Sequence, residues 1–129
     1  EAKHGGELRF VVEGGLHPDE LLRSRSPRGR AIELFAQLRV WDTENNSGVL
    51  IYVQLVDRKI EIVADRGINA RVGQASWDEI CRRMEAAFSH GQFEQGALAA
   101  IDEVTALLAR HFPPDGVNPN ELPDKPVVL

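Results

Sequence analysis

Apolar positions crowd most densely into residues 48–65, GVLIYVQLVDRKIEIVAD. Residues 49–56 are almost continuously apolar and rich in β-branched side chains, the pattern of a strand covered on both faces. Asp57, Arg58 and Lys59 break the run. Ile60 and Ile62 then alternate with Glu61 and Val63 up to Ala64. Two such runs around a short polar break predict an antiparallel hairpin.

The other elements read as cover for this hairpin. Residues 7–13, ELRFVVE, form a first strand, followed by Gly14 and Gly15. His17 to Glu20 suits a helical turn with Pro18 at its first position. Pro27 ends any helix continuing from there. Ser26 and Pro27 then act as N-cap and first residue of a new helix. Ala31, Leu34, Phe35, Leu38 and Trp41 give that helix one apolar stripe, with both tryptophans read as packed. Residues 42–47, DTENNS, are a polar loop. Strand, helix and strand make a β-α-β unit whose right-handed crossover sets the first two strands parallel.

Residues 66–74 read as a turn region bracketed by Gly67 and Gly73. Ser76 and Glu79 have the spacing of a capping box, and Trp77, Ile80, Cys81, Met84 and Phe88 follow as a helical stripe. Gly91 closes that helix. A further helix over residues 93–111 is expected to bury Leu98, Ile101, Leu108 and Phe112 before Pro113 and Pro114 stop it. The last stretch, residues 113–129, holds five of the seven prolines and should be an extended tail. With one helix before the hairpin, two after it, and a strand needing cover on both faces, the expected fold is α/β: a three-layer α/β/α sandwich around a small mixed sheet.

A chain of 129 residues fits one domain with a single core, spanning residues 1–129, with residues 1–6 disordered or truncated. The net charge of −5 argues against general nucleic-acid binding. A lone cysteine, Cys81, excludes an internal disulfide and any CxxC motif. No apolar run approaches the length of a membrane-spanning helix. The chain opens on Glu1 rather than Met, which leaves room for membrane association through a missing N-terminal segment.

Polar residues gather at both ends of the expected sheet. At one end, Gly14, Gly15 and His17 follow the first strand, and Asp57 and Arg58 follow the second. The carboxyl ends of parallel strands are the usual ligand crevice of open α/β sheets. The glycine pair lacks the GxGxxG and P-loop spacings, so the bland reading is a turn. At the other end, Asp42, Thr43, Glu44 and Asn45 precede the second strand, and Asp65 and Arg66 follow the third. Their carboxylate, hydroxyl and amide oxygens suit a hard cation, Ca or Mg, without EF-hand spacing. The bland reading there is local backbone capping. Asp65, Asp42, Thr43 and Asn45 are the metal candidates. Arg66, Asp57 and Arg58 are the ligand-binding candidates.

His4, His17, His90 and His111 have no metal-ligand spacing, and His90 and His111 sit near helix C-termini, where a cation is favoured anyway. Cys81 lies on an apolar stripe and reads as a buried, inert thiol. Ser24, Ser26 and Ser47 have no GxSxG context. Arg23, Arg25, Arg28 and Arg30 form a basic run that could hold an anionic partner, with a solvated helix start as the bland reading.

Taken together, residues 43–53 (TENNSGVLIYV) and 57–68 (DRKIEIVADRGI), then Trp77, Met84, Phe88, Gly91, residues 111–113 (HFP) and 120–124 (NELPD) resemble the TPM domain family. That family is named partly for a thylakoid-lumen phosphatase, and the closer likeness is to a short bacterial branch. The resemblance implies an α/β/α sandwich, acid phosphatase activity and divalent-metal binding in some members, and a cytoplasmic or membrane-associated bacterial setting. Where the family carries a GxGxE-like segment after the third strand, this chain has Asp65-Arg66-Gly67-Ile68. Two functions follow. The first is a non-enzymatic module binding a metal, an unknown protein or a small anionic ligand. The alternative is a metal-assisted phosphatase in which Asp65 and the 42–45 loop hold the ion and Arg66 offsets developing charge.

Overall fold

The computed structural model describes residues 7–14, 26–56, 58–113 and 127–129. Strand β1 is Glu7–Glu13, helix α1 Pro27–Gln37, β2 Gly48–Gln54 and β3 Lys59–Ala64. Three helices follow, α2 Arg66–Val72, α3 Gln74–Ser89 and α4 Phe93–His111, and then a two-residue strand β4, Val127–Val128. The strands lie in the order β3-β2-β1-β4. β1 pairs parallel to β2 with Glu7 opposite Gly48 and Glu13 opposite Gln54. β2 pairs antiparallel to β3, and β4 lies parallel on the far side of β1. The parallel pairing and the hairpin are those the sequence predicts.

All seven residues of β2 are buried, as a strand covered on both faces requires. One face of the sheet, with Phe10, Ile51, Val53 and Ile62, packs against Ile68 of α2, Trp77, Ile80 and Met84 of α3, and Val104 and Leu108 of α4. The other face, with Val11, Leu50, Tyr52 and Val63, packs against Ala31 and Leu34 of α1 and against Val40. The α/β/α sandwich therefore holds, with its helices divided one against three. Arg28 ties α1 to the edge strand: its Nη1 donates to the Ile62 carbonyl at 2.5 Å and to Glu61 at 3.3 Å.

Ser26 caps α1 as expected, its Oγ accepting from the Gly29 amide at 2.9 Å with Pro27 at the helix start. Gly91, at φ +74°, takes the left-handed conformation that ends α3.

Several expectations need correction. Residues 66–72 are helix α2, not a turn; only Ile68 of it is buried, so it carries no stripe to read. Ser76 does not cap α3. That helix begins at Gln74, after Gly73 at φ +90° breaks the chain, and has no side-chain cap. α1 ends before Trp41, and Arg39 takes φ +57°, so Trp41 leaves the stripe and stands 47% exposed beneath the Arg39 guanidinium. α4 buries Gly96, Ala100, Val104 and Leu108, a period of four that turns Leu98 out to solvent. β2 stops at Gln54, leaving Leu55 and Val56 exposed in the turn. The turn expected at His17 to Glu20 and most of the tail lie outside the described residues; the tail's end forms β4.

Candidate functional site

The parallel pair β1 and β2 ends in Glu13 and Gln54, side by side in register. A polar network sits there on the α1 face. Arg30, buried in the first turns of α1, donates from Nε and Nη2 to the two oxygens of Glu13 at 3.0 and 2.7 Å, a bidentate pair. Its Nη1 reaches Glu33 at 2.6 Å. Tyr52 donates its hydroxyl proton to Glu13 Oε1 at 2.7 Å, and Gln54 Nε2 donates to the Tyr52 oxygen at 3.1 Å. The expectation of a solvated basic run fails at Arg30, because a carboxylate seventeen residues earlier in the chain neutralises it inside the fold. Glu13 is engaged on both oxygens, so the network pins α1 to the sheet and offers no ready base.

Burial, and then the bond to Glu13, push the Tyr52 phenol above the ordinary tyrosine range. Burial, with Glu61 and Glu85 nearby, pushes the Cys81 thiol up to about 12, so it is no nucleophile at neutral pH. Both groups stay protonated in the fold where the unfolded chain ionises, near about pH 8.5 for cysteine and about 10 for tyrosine. Their contribution to stability is therefore full below the unfolded values and is lost as pH rises towards the folded ones. Urea midpoints should hold level to about pH 8 and fall above about pH 9, with Cys81→Val removing the earlier part of the fall. Midpoints level to pH ~11 would show that the fold does not hold these protons.

On the opposite face, the same end of the sheet opens into an apolar groove of about 350 Å³. Phe10, Val12, Val53 and Leu55 form its sheet side, and Phe88, Phe93, Ala97 and the carboxylate Glu94 its helix side. Those two rings, on either side of the α3–α4 turn, are 5.0 Å apart centre to centre. The groove continues into a pocket of about 390 Å³ that shares Val53, Leu55, Phe88 and Phe93 and adds Ile60, Gln54, Arg58, Glu85 and Ser89. Arg58 holds φ +54°, a left-handed conformation that favours glycine or asparagine. Of the ligand-binding candidates, Arg58 thus lines a pocket, Asp57 lies outside the described residues, and Arg66 is exposed at the start of α2. Val53 and Phe88 read as core from their stripes. The half-exposed Phe93 carried no signal beyond its position at a helix start.

At the other end of the sheet, the loop of residues 42–47 does meet the start of α2. The Asp65 amide donates to the Gly48 carbonyl at 2.8 Å, and the Ile68 amide to the Asn46 carbonyl at 3.2 Å. Gly67 is held so close that an added Cβ would strike the Asn45 and Asn46 carbonyl oxygens. The candidate oxygens themselves are engaged locally. Asp65 Oδ1 accepts from the Arg66 amide at 2.8 Å as the cap of α2. Asp42 pairs with Arg39 at 2.9 Å, and Thr43 Oγ1 accepts from the Ser47 amide at 2.9 Å. Asn45 is exposed beside them. Among the described residues no group of three or more His, Cys, Asp or Glu could hold a metal ion. A calcium ion, which takes about six to eight oxygens, would therefore need backbone carbonyls and water to complete its shell here.

Fold and site together define a three-layer α/β/α domain with a short mixed sheet and an open pocket at the carboxyl ends of its parallel strands. The chain belongs to the TPM domain family, which matches residues 1–107. No curated protein matches it. Among solved structures it is similar to the NMR structure of the BA42 protein from the psychrophilic bacterium Bizionia argentinensis. The two share 29% sequence identity with a TM-score of 0.83, over 99% of this chain and 83% of that one. Among the described residues no helix is long and apolar enough to cross a membrane.

Proposed function

We propose that this TPM domain is a non-enzymatic binding module that takes its ligand in the pocket at the carboxyl ends of β1 and β2. One observation carries this reading: a continuous apolar groove opens beside Arg58, at the place where open α/β sheets bind ligands. Leu55 and Phe93, which line it, stand 45% and 51% exposed, apolar surface that a bound partner would cover. The buried Glu13 and the half-buried Cys81 lend no support to catalysis. Glu13 is committed to Arg30 and Tyr52, and Cys81 is held as a thiol.

The test is a residue-resolved NMR screen with a panel of small apolar and amphiphilic molecules. Ligands should shift the amides of Leu55, Phe88 and Phe93, and Phe93→Glu should abolish those shifts. Hits that map elsewhere, or none, would count against the pocket.

A second reading has its own support in the meeting of the 42–47 loop with α2. There a calcium or magnesium ion would sit by Asp65, Asp42, Thr43 and Asn45. Shifts confined to those residues on adding calcium, weakened by Asp65→Asn, would favour it. A metal-assisted phosphatase would need that same site.

A further inference from the structure

Resting on the pocket reading, we infer that the ligand class is a zwitterionic amino acid with an apolar side chain. The pocket of about 390 Å³ has an apolar floor of Val53, Ile60, Phe88 and Phe93 and, among the described residues, one exposed group of each charge sign along its walls, with Glu94 on the adjoining groove. Arg58 stands on the hairpin side and Glu85 on the α3 side. The two are in no salt bridge with each other or with any other described residue. Opposite charges that share a pocket without pairing are complementary to a ligand carrying both signs a short distance apart. The guanidinium suits a carboxylate, which it can meet with two hydrogen bonds. The Glu85 carboxylate suits an ammonium. A plain carboxylate would leave Glu85 facing it with like charge, and a plain amine would do the same to Arg58; each loses one attraction and gains one repulsion. The tilted Phe88–Phe93 pair offers ring faces and edges to an aromatic or branched side chain. Arg58 is an arginine where the backbone, at φ +54°, favours glycine. Arg39 takes the same conformation at φ +57° away from the pocket, so the angle alone assigns no role, and Arg58→Gly removes the side chain without straining the turn.

The experiment is an NMR titration of the full chain with four probes: L-phenylalanine, L-leucine, 3-phenylpropionate, which lacks the ammonium, and 2-phenylethylamine, which lacks the carboxylate. One or both amino acids should shift Leu55, Phe88 and Phe93 and bind roughly tenfold or more tightly than either truncated probe. Glu85→Gln should abolish the preference over 3-phenylpropionate, and Arg58→Gln the preference over 2-phenylethylamine. Arg58→Gly should raise the denaturant midpoint while weakening amino-acid binding, which separates the side chain's role from the turn's stability. Truncated probes binding in the pocket as tightly as the amino acids would overturn the zwitterion class and leave the pocket standing. If no probe shifts the pocket residues, the amino-acid class is overturned, while the pocket reading stands or falls with the wider panel of apolar and amphiphilic molecules.

Discussion

Replacing Glu13 with leucine is expected to cost about 3–5 kcal/mol of stability, the range seen when one partner of a buried ion pair is removed. Glu13 is 2% exposed and its partner Arg30 8%. The substitution takes away both hydrogen bonds of the bidentate pair and the acceptor of the buried Tyr52 hydroxyl at once. Glu33 still meets Arg30 Nη1, which places the loss nearer the lower end of the range. The pair is not expected to be worth that much in itself, because two buried charges forfeit hydration that their attraction only partly restores. The double variant Glu13→Leu, Arg30→Met should therefore regain a large share of what the single variant loses. Urea unfolding of the native chain, each single variant and the pair measures this. A single-variant loss below about 1 kcal/mol would mean that the network does not anchor α1.

Trp77→Ala should cost about 3–5 kcal/mol, as expected for an aromatic side chain lost from a packed core. Trp77 is 2% exposed and sits in the main core among Ile68, Ile80 and Met84. Its indole Nε1 also donates to Asn69 Oδ1 at 2.9 Å, joining α3 to α2. Asn69 is exposed, so water can replace the lost donor and most of the cost is cavity. Trp77→Phe keeps most of the volume and should lose clearly less. Equal losses in the two variants would shift the weight from packing to the hydrogen bond.

The legible parts of the fold were those written in local pattern. The unbroken apolar run of β2 announced a strand covered on both sides, and the polar break before Lys59 announced the hairpin. Ser26 and Pro27 announced the start of α1. The illegible parts depended on partners distant in sequence or on single backbone angles. Nothing near Arg30 told that Glu13 would bury it. Nothing at Ser76 told that Gly73, at φ +90°, would start α3 three residues earlier. α2 is seven residues long with one buried side chain, too little for a period to show, and β4 has two residues. The site divided in the same way. The crevice at the carboxyl ends was legible from topology, and Arg58 with it. Its apolar wall was not, because it joins Val53 to Phe88 and Phe93, which lie thirty-five and forty residues further along the chain. The 42–45 loop and Asp65 were rightly placed at a common end, but their side chains are engaged by Arg39, Arg66 and Ser47, partners that composition does not reveal.

The proposal of a binding module rather than a phosphatase is tested most directly by hydrolysis of p-nitrophenyl phosphate with calcium or magnesium present. The predicted result is no release of nitrophenol above the rate with metal ion alone. Release well above that rate, lost in Asp65→Asn while the variant keeps its denaturant midpoint, would contradict it and place a metal-dependent reaction at the α2 end of the sheet.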